Sequence, residues 1–525
     1  MKIAGWIVGL FLLGASALFG GEPVPVTILY TSANKGYFLP YRPYDAALFK
    51  DLTLKPGDRY GGYAAVAYYI KKVKKEVEEK KGVFLLVDGG NSLVGSSEAD
   101  FFQGQVAVDF MNRMGYNSVN VSNLDWSLGK EVIEEMSKKA AFAFLACNVF
   151  SEKTDEPPPY LKPYTVVESR GLEIGIIGYA QDEFSRWFDP TRVKGLYGLP
   201  PAPIVQKHID FLRKAGTDLI IVVDHSGDNS YWDKARALKG MDVMIEGAAE
   251  WATVAIKPVA LNQPKQVGEA WVFPDADSHF AVGRADLLFD QEKKKVVSAR
   301  GEHYFMDLNQ VEEDPEIKKF VTKYADTYFE VVGKKLQEVI GYAADDFTTK
   351  WDEKWNTSLS TLVCEALRRY AQTDVGLMNL GSIRRHLRKG PIRLKDVQDV
   401  LPFQNTLVTF AVKGKDLYDF DLLSNQSAAQ PPVPWIYVAG AGIERAQNLQ
   451  IKNIRIGGKE IDPEREYTFA TNVYLYHSGH LPRGICREIK LREEKITDVV
   501  AGYIREHSPI SPGGREVGTT IEHAN

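Results

Sequence analysis

The sequence contains little cysteine, with three residues in 525 and no pair spaced as Cys-x-x-Cys. This scarcity excludes a disulfide-stapled scaffold and argues against metal binding by cysteine. The odd count leaves at least one thiol unpaired, so we expect Cys147, Cys364 and Cys486 to be buried apolar thiols rather than to include a Cys364–Cys486 bridge. Disulfides are therefore not expected to be the main stabilising element of the fold.

An excess of charge of one sign is also missing. The 64 Lys and Arg residues nearly balance 69 Asp and Glu residues, which gives a net charge of −5. A nucleic-acid polymer needs a concentrated basic surface, and this composition provides none. Hydrophobic residues make up 44% of the chain and charged residues 25%, the balance of an ordinary globular protein. We therefore expect globular domains whose partner is a small molecule.

Long hydrophobic runs are missing beyond the N-terminus, where no segment reaches about 18 consecutive apolar residues. Residues 1–21 have the layout of a secretory signal peptide: Lys2 precedes an apolar run over 7–13, and small residues follow at Ala15 and Ala17. An uncleaved N-terminal anchor is the alternative. We predict an exported, soluble protein, periplasmic or extracellular, with no transmembrane segment beyond the signal peptide.

Strand-like and helical patterns alternate from Val24 to about Asp290, and we assign residues 24–310 to one domain. Short β-rich runs ending in polar residues or glycine occur at 24–30, 83–90, 118–123, 142–149, 172–179, 218–225 and 241–247. Amphipathic helical patterns occur at 62–80, 105–114, 130–139 and 204–215. Such alternation predicts a layered α/β fold whose functional site lies just beyond the strand ends.

A long amphipathic helix is predicted over residues 311–341, opened by Asp314 and Pro315. We place the domain boundary at this linker helix. After it, residues 342–525 combine one helical pattern at 358–372 with strands and turns rich in glycine and proline. The second domain should therefore mix α and β structure without regular alternation.

Several segments at the strand ends follow a recognisable order. They are VTILYTSANKG (26–36), VFLLVDGGNSLVGSS (83–97), VNVSNLDWSLG (119–129), DLIIVVDHSG (218–227), MDVMIEGAAE (241–250), LVCEALRRYAQTDVGLMNLGSIRRHL (362–387), GPIRLKDVQDVLPFQNTLVTFAVKGKDL (390–417) and YTFATNVYLYHSG (467–479). Together they resemble the 5′-nucleotidase / UDP-sugar hydrolase family. The resemblance implies an N-terminal four-layer metallophosphoesterase-like α/β sandwich, the linker helix, and a C-terminal α+β nucleotide-recognition domain over 342–525.

The resemblance implies metal-dependent hydrolysis, but the sequence departs from the family's site. Family members hold two divalent cations with carboxylates and imidazoles, and a water between the cations attacks phosphorus. The corresponding positions here are Ala33 and Lys35 for D-x-H, Asn91 for the bridging Asp of G-D, Asn123 and Leu124 in G-N-H-E, His225 in H-x-G, and Ala248 and Glu250 in G-H-x-H. Only Asn123 and His225 keep the family residue. The catalytic histidine of the family is Leu124 here.

These substitutions predict a degenerate site with no metal cofactor. If one divalent cation such as Mn²⁺ or Zn²⁺ binds, its candidate ligands are Asn91, Asn123, His225 and Glu250. We hypothesise that the Lys35 ammonium takes the place of the metal charge and pairs with Glu250. Extension of Lys35 into solvent is the alternative. Asp88 and Asp125, which lie nearby in sequence, are expected to accept hydrogen bonds from loop amides or to cap helices.

The second domain keeps more of the family pattern. Phe403 in P-F-Q-N and Tyr474 in A-T-N-V-Y match the two aromatic residues that sandwich a nucleobase in the family. Arg384 matches the arginine of G-G-x-R, and Asn405 matches a residue that reaches toward the base. His480 lies where the family has the aspartate that holds ribose hydroxyls, so a ribose preference is not implied. The alternative is that both aromatic rings are ordinary core residues.

Three functions remain open at this stage. The one we favour is an exported pseudoenzyme of the 5′-nucleotidase type that has lost its metals and binds a nucleoside, a nucleotide or another flat ligand. The second is an active metal-dependent hydrolase of phosphate or sulfur esters with a rearranged site. The third is a protein-interaction or structural role, since fold alone does not settle function.

Overall fold

Two mixed β-sheets stacked face to face form the N-terminal part of this computed structural model. The structure describes residues 22–41, 59–187, 190–225, 231–247, 264–275, 280–349, 357–403, 405–418, 436–445, 451–477, 481, 484–512 and 521–523. The strands of this part are β1 (Val24–Thr31), β2 (Val83–Asp88), β3 (Ser118–Asn120), β4 (Ala143–Leu145), β5 (Val149–Ser151), β6 (Tyr164–Ser169), β7 (Leu172–Tyr179), β8 (Leu196–Gly198), β9 (Leu219–Asp224), β10 (Val243–Glu246), β11 (Lys265–Val267), β12 (Ala270–Phe273), β13 (Ala281–Asp290) and β14 (Lys295–Phe305). The helices are α1 (Tyr63–Glu79), α2 (Ser97–Phe101), α3 (Gln105–Met114), α4 (Lys130–Lys139), α5 (Pro201–Ala215) and α6 (Tyr231–Ala237).

The order of the strands places parallel neighbours at the centre of each sheet. The first sheet has the order β14-β13-β1-β2-β3-β4, and the second has the order β11-β12-β10-β9-β7-β6. Strands β1 to β4 run parallel, as do β7, β9, β10 and β12. Antiparallel strands complete the edges: the β13–β14 hairpin pairs with β1, while β6 and β11 flank the second sheet. Parallel strands bring their carboxyl ends to one edge of a sheet.

Alternate residues of each strand face opposite sides, which divides the core into layers. Val26 and Ile28 of β1 share one buried cluster with Ile176 of the second sheet. Leu29 of β1 lies in the outer cluster, with residues of α1, α3 and α4. Val222 of β9 faces the other way and shares a cluster with residues of α5 and α6. The layers are helix, sheet, sheet and helix, which confirms the predicted four-layer α/β sandwich.

Most predicted elements of this part correspond closely to observed ones, and the structure adds elements that were not predicted, namely β6, β8, β11, β12, α2 and α6. Strand β7 and helices α3 and α4 occupy the predicted ranges. The run 142–149, predicted as one strand, is broken into β4 and β5. The β13–β14 hairpin was not indicated by the alternating pattern, because its strands pair locally with each other and add to β1 from outside the parallel core.

The helix between the two parts is shorter than the predicted 311–341. It consists of α7 (Pro315–Tyr328), a π-helical turn (Phe329–Gly333) and α8 (Lys334–Leu336). Asp314 immediately precedes α7 and caps its N-terminus, since its Oδ1 accepts a hydrogen bond from the backbone N–H of Ile317 at 2.9 Å. At the other end, residues 339–343 leave the helix to form strand β15 (Val339–Ala343).

The C-terminal part combines a five-stranded sheet, a four-stranded sheet and a two-stranded ribbon. Its further strands are β16 (Val375–Asn379), β17 (Gly390–Arg393), β18 (Thr406–Lys413), β19 (Ile436–Ala439), β20 (Ala441–Arg445), β21 (Ile451–Ile456), β22 (Lys459–Glu460), β23 (Glu466–Asn472), β24 (Arg487–Lys495) and β25 (Ile521–His523). Its helices are α9 (Ser358–Ala371), α10 (Leu394–Val400), α11 (Val473–His477) and α12 (Ile496–His507). The larger sheet has the order β19-β16-β23-β18-β24, the smaller one β22-β21-β20-β25, and β15 pairs with β17.

The larger C-terminal sheet separates two hydrophobic cores. Residues of α9 and α12, such as Val363 and Val500, pack in one core, and residues of β20 and β21, such as Ile443 and Ile454, contribute to the other. Cys147, Cys364 and Cys486 are free thiols, the first two buried and the third half-buried. The expectation of buried thiols is therefore confirmed for Cys147 and Cys364, and the alternative disulfide does not form.

Some predicted features lie outside the described residues. These are the signal peptide over 1–21 and the candidate site positions Ala248, Glu250 and His480. None of the helices in the described part of the chain has the length and apolar character that crossing a lipid bilayer requires.

Candidate functional site

The carboxyl ends of strands from both N-terminal sheets meet at one edge of the sandwich. The turn after β1 is bonded to the turn after β2, because the N–H of Ala33 donates to the carbonyl of Gly90 at 2.8 Å. His225, which follows β9 of the second sheet, bonds through Nδ1 to the carbonyl of Gly89 at 2.7 Å. The described candidate positions of both sheets therefore lie at one shared edge, as the predicted sheet required.

Three non-glycine residues at this edge have left-handed backbones. The φ angles are 47° for Ala33, 51° for Lys35 and 54° for Asn91. Side chains with a Cβ rarely adopt this region, at a cost of about 1 kcal/mol or more each. The conformation is held by backbone bonds between the two turns, such as the bond from Lys35 N–H to the Asn91 carbonyl at 2.9 Å. The strained turn is therefore present even though the side chain of Ala33 has no group that could bind a metal.

The side-chain oxygen of Asn91 is engaged by two neighbours. Its Oδ1 accepts hydrogen bonds from Ser122 Oγ and from the backbone N–H of Leu124, both at 2.8 Å. An amide oxygen has two lone pairs, and these two donors occupy both. Asn91 therefore holds the turn after β3 in place and offers neither charge nor a spare lone pair to a cation.

Asp88 and Asp125 bind the turns together, as predicted. Both are completely buried. Asp125 accepts from the backbone N–H groups of Asn91 and Leu93 at 2.9 Å and from that of Ser122 at 3.1 Å. Asp88 accepts from Thr31 Oγ1 at 2.6 Å and from the N–H of Gly90 at 2.8 Å. Burial raises the pKa of Asp88 to about 7 and that of Asp125 to about 6, and the hydrogen bonds oppose this shift in both.

Among the described candidate positions, two buried polar atoms have no hydrogen-bond partner within the described residues. They are Nε2 of His225 and Oδ1 of Asn123. Burial lowers the pKa of His225 to about 4, so the ring is neutral near pH 7. Its Nδ1 then carries the proton that is donated to the carbonyl of Gly89, and Nε2 carries a lone pair. In this tautomer Nε2 can bind a metal or accept a hydrogen bond.

Lys35 and Leu124 lie side by side across Gly95. A Cβ built on Gly95 would stand 2.9 Å from Cδ2 of Leu124 and 3.1 Å from Cβ of Lys35, so glycine is needed for this close approach. Leu124 is half-buried and offers no proton, in contrast to the histidine found there in the family pattern. The Lys35 side chain is half-buried as well, and its hypothesised partner Glu250 lies outside the described residues.

The described donors do not fit a pair of divalent cations. Within the part of the chain that the structure describes, no group of three or more His, Cys, Asp or Glu side chains is placed to hold a metal. The spare donors, His225 Nε2 and Asn123 Oδ1, are both neutral, whereas hard dications require several anionic oxygens. We therefore derive no catalytic step through metals for this edge.

The second candidate site lies at one edge of the larger C-terminal sheet. Strands β16 and β23 run parallel and end at Asn379 and Asn472 on that edge, and Asn472 pairs with Leu407 at the start of β18. Arg384 follows the first strand end, Tyr474 follows the second, and Phe403 precedes β18. The topology therefore brings three predicted ligand residues to one edge of the sheet.

Arg384 covers the ring of Phe403. The guanidinium carbon lies 5.2 Å from the ring centroid, a cation–π contact. The arginine is solvent-exposed, but enough protein surrounds it for desolvation to lower its pKa, while the nearby hydroxyls of Tyr37 and Tyr474 oppose that shift. Tyr474 is 8% exposed and belongs to the apolar core.

Asn405 is not shown to join this group. Its carbonyl accepts a hydrogen bond from the N–H of Ile496 at 3.0 Å, which ties it to the start of α12, and the residue is half-buried. Asn405 and His480 therefore remain sequence-based candidates.

The two sites face each other through contacts that the sequence did not indicate. Arg385 lies over the ring of Tyr41 at 5.1 Å and bonds to Asp399 at 3.2 Å. Lys395 approaches Glu98 at 3.8 Å. Tyr41 belongs to the segment that follows the Lys35 turn, so the arginine turn of the second domain lies against this segment of the first. Such contacts join residues far apart in sequence and leave no local pattern.

Comparison with known proteins gives consistent matches to 5′-nucleotidases. The family model of the 5′-nucleotidase C-terminal domain matches residues 339–481. The chain is 25% identical to the protein UshA of Yersinia enterocolitica over 92% of each chain. It is 23% identical to a 5′-nucleotidase of Vibrio vulnificus, over 80% of this chain and 82% of that relative. Residues 339–481 therefore match the 5′-nucleotidase C-terminal domain, and the chain as a whole is similar to 5′-nucleotidases.

A solved 5′-nucleotidase shares the same fold. The crystal structure of the 5′-nucleotidase precursor from Thermus thermophilus superposes with a TM-score of 0.76 and 22% identity, covering 95% of this chain and 99% of that protein. The coverage extends over both parts of the chain. The predicted 5′-nucleotidase fold, with its sandwich and its C-terminal domain, is therefore confirmed.

Proposed function

We propose that this 5′-nucleotidase-family chain is an exported pseudoenzyme that binds a nucleoside, a nucleotide or another flat ligand in its C-terminal domain. One observation carries the loss of catalysis: the oxygen of Asn91, at the family's metal-bridging position, is saturated by Ser122 and Leu124. A neutral amide in this state neither balances nor coordinates two dications. Leu124 and Ala33 remove further groups that metal-dependent hydrolysis needs.

The binding part of the proposal depends on Arg384 and Phe403. The exposed guanidinium and the half-buried ring form a planar, cationic surface near Tyr37 and Tyr474. A flat aromatic ligand can stack on such a surface, and an attached phosphate or carboxylate can accept bidentate hydrogen bonds from the guanidinium. A nucleotide combines both properties.

Hydrolysis assays test the catalytic claim. The purified chain, supplied with Mn²⁺ or Zn²⁺, should release no phosphate from AMP or from a generic phosphate ester above the level of a His225→Ala variant. Turnover that His225→Ala abolishes would overturn the pseudoenzyme proposal.

Calorimetry tests the binding claim. AMP and adenosine should bind to the parent, and Phe403→Ala should weaken that binding by about tenfold, since stacking one base contributes about 1–3 kcal/mol. Tyr418→Ala is the matched control, because it removes an exposed aromatic ring of the same domain. Absence of heat with both ligands would leave the interaction or structural role.

A second candidate is an active ester hydrolase with a rearranged site. It is favoured by the buried, unbonded His225 Nε2 and Asn123 Oδ1, which are suitable for one Mn²⁺ or Zn²⁺. If this second candidate is correct, the parent chain should bind one equivalent of metal, and His225→Ala should abolish that binding.

Export is proposed from the signal-peptide pattern of residues 1–21. N-terminal sequencing of the protein recovered from outside the cytoplasm should show a start near residue 22.

A further inference from the structure

A buried polar cluster links the turn that carries Arg384 to the helix that carries Tyr474. Its members are Asn379 at the end of β16, Ser382 in the 3₁₀ turn Leu380–Ser382, and Asn472 at the end of β23. All three are at least nine-tenths buried. Their side chains meet between the two parallel strand ends, directly behind the ligand candidates.

Asn472 is the centre of this cluster. Its Nδ2 donates to Asn379 Oδ1 at 2.9 Å and contacts Ser382 Oγ at 3.3 Å. Its Oδ1 accepts from the backbone N–H of Leu475 at 2.9 Å, in the first turn of α11. One amide group therefore bonds the arginine turn with its nitrogen and caps the tyrosine helix with its oxygen.

Ser382 tightens the turn from the other side. Its hydroxyl donates to Asn379 Oδ1 at 2.5 Å, so that oxygen receives two donors. Ser382 stands at the second glycine of the family's G-G-x-R pattern, which has no side chain to make this bond. The turn then leads to Arg384, whose backbone N–H is fixed on the carbonyl of Val400 at 2.8 Å.

We propose that Asn472, assisted by Ser382, is a positioning residue that sets Arg384 and Tyr474 relative to each other. The inference rests on the proposed ligand site and extends it to residues that do not face the ligand. A buried, fully bonded polar cluster is rigid because each member would lose its partner if the turn or the helix shifted. Loss of Asn472 Nδ2 should therefore release the arginine turn while the helix cap remains.

The variant Asn472→Asp separates these two roles. The aspartate can still accept from Leu475, but it presents an oxygen instead of an NH₂ group to Asn379 and Ser382. Hydrogen exchange of the full chain, followed by mass spectrometry, should show faster exchange over residues 380–386 and unchanged protection over 473–477. Affinity for AMP should fall by about tenfold, the effect of one or two lost buried hydrogen bonds.

Two further variants complete the test. Thr471→Val removes a buried hydrogen bond from the same strand to the carbonyl of Leu377, at 3.2 Å, but touches neither the turn nor the helix. It should leave exchange at 380–386 and AMP affinity unchanged. Ser382→Gly should loosen the turn without altering α11. This variant replaces Asn472→Asp in the test if Asn472→Asp fails to fold.

The outcomes distinguish this proposal from the proposed function. Unchanged exchange at 380–386 in both Asn472→Asp and Ser382→Gly would overturn the positioning role. Equal loosening by Thr471→Val would also overturn it, because the effect would then be general destabilisation. If the exchange changes as expected but the parent binds neither AMP nor adenosine, the positioning geometry stands and the proposed ligand class fails.

Discussion

The two strand-end sites of this chain differ in what they keep of the 5′-nucleotidase pattern. The N-terminal edge keeps its backbone, including left-handed turns at Ala33, Lys35 and Asn91, yet the side chains on those turns carry no carboxylate. The C-terminal edge keeps side chains of the pattern, with Arg384 over the ring of Phe403. One edge keeps the backbone of the pattern, and the other keeps some of its side chains, for which we propose a binding role.

The turns of the N-terminal edge are held by hydrogen bonds within the protein. Hydrogen bonds from buried carboxylates and amides to backbone N–H groups hold them, with Asp125 bonded to three amides and Asn91 bonded to Leu124. A ligand can therefore be lost without collapse of its turn. Conversely, metal-binding side chains that are reintroduced on these turns should be held in a geometry suitable for metal binding.

Restoration of the metal ligands should have the largest effect. The triple variant Ala33→Asp, Lys35→His and Asn91→Asp adds two carboxylates and an imidazole to the spare donors of Asn123 and His225. We expect affinity for Mn²⁺ to rise by at least about a hundredfold, because affinity grows steeply with the charge of the ligand set. Calorimetric titration with Mn²⁺ measures this.

The matched control is Asn34→Asp, which adds a carboxylate to the same turn where the side chain already accepts from the N–H of Gly36 at 3.1 Å. Equal Mn²⁺ affinity for the control and the triple variant would show that the edge is no longer a metal scaffold.

Removal of the carboxylate of Asp125 should be the most damaging single change to stability. Asp125→Ala leaves the buried backbone N–H groups of Leu93 and Ser122 without an acceptor, each costing about 1 kcal/mol or more, while the N–H of Asn91 keeps Ser122 Oγ as its acceptor at 2.6 Å. The free energy of unfolding should fall by about 2 kcal/mol or more in urea denaturation. Asp233→Ala, at an exposed ion pair with Arg236, should change it by less than about 0.5 kcal/mol. A similar small loss for both variants would contradict the role assigned to Asp125.

Stability should also depend on pH through Asp88. Its folded pKa, about 7, is above the ordinary value of 3.8, so between these values the folded state retains a proton that the unfolded state has lost. The contribution of protonated Asp88 to the free energy of unfolding is therefore fully present below about pH 4, and it is lost as the pH rises through about 7. Asp88→Asn keeps polar groups beside Thr31 and Gly90 without a charge.

Relative to Asp88→Asn, the parent should lose roughly 1–3 kcal/mol of unfolding free energy between about pH 5 and pH 8. Urea denaturation across this range measures the difference. Stability curves that run parallel for the two proteins would be inconsistent with a raised pKa for Asp88.

The smallest effect is expected from Lys35. If its ammonium pairs with Glu250, Lys35→Met should lower the melting temperature by about 2–4 °C, since a lost pair of about 1 kcal/mol has that effect in a domain of this size. Methionine keeps an apolar stem and removes the charge. An unchanged melting temperature would instead favour a Lys35 side chain that extends to solvent.

The sequence predicted the layers and much of the N-terminal edge for clear physical reasons. Alternating apolar residues define β7, helical periodicity defines α3 and α4, and polar residues beyond the strand ends indicate Asp88, Asn123 and His225. Asp88 and Asp125 were correctly expected to bind loop amides. These features are encoded locally, by spacing and by residue type.

Features that depend on distant contacts were not predictable in this way. Saturation of the Asn91 oxygen requires Ser122 and Leu124 of another turn, and the contact of Arg385 with Tyr41 joins two domains. The end of the linker helix was missed because strand β15 forms by pairing with β17, which lies about fifty residues later. The burial of Tyr474 in the apolar core likewise follows from packing rather than from its motif.

The most direct test of the comparison is the metal content of the parent chain. After equilibration with excess Mn²⁺ and removal of unbound ions, elemental analysis should find no stoichiometric metal, while AMP still binds through the C-terminal domain. Two equivalents of metal per chain, lost on His225→Ala, would contradict the account. The N-terminal edge would then be a metal site like that of the active enzymes of the family.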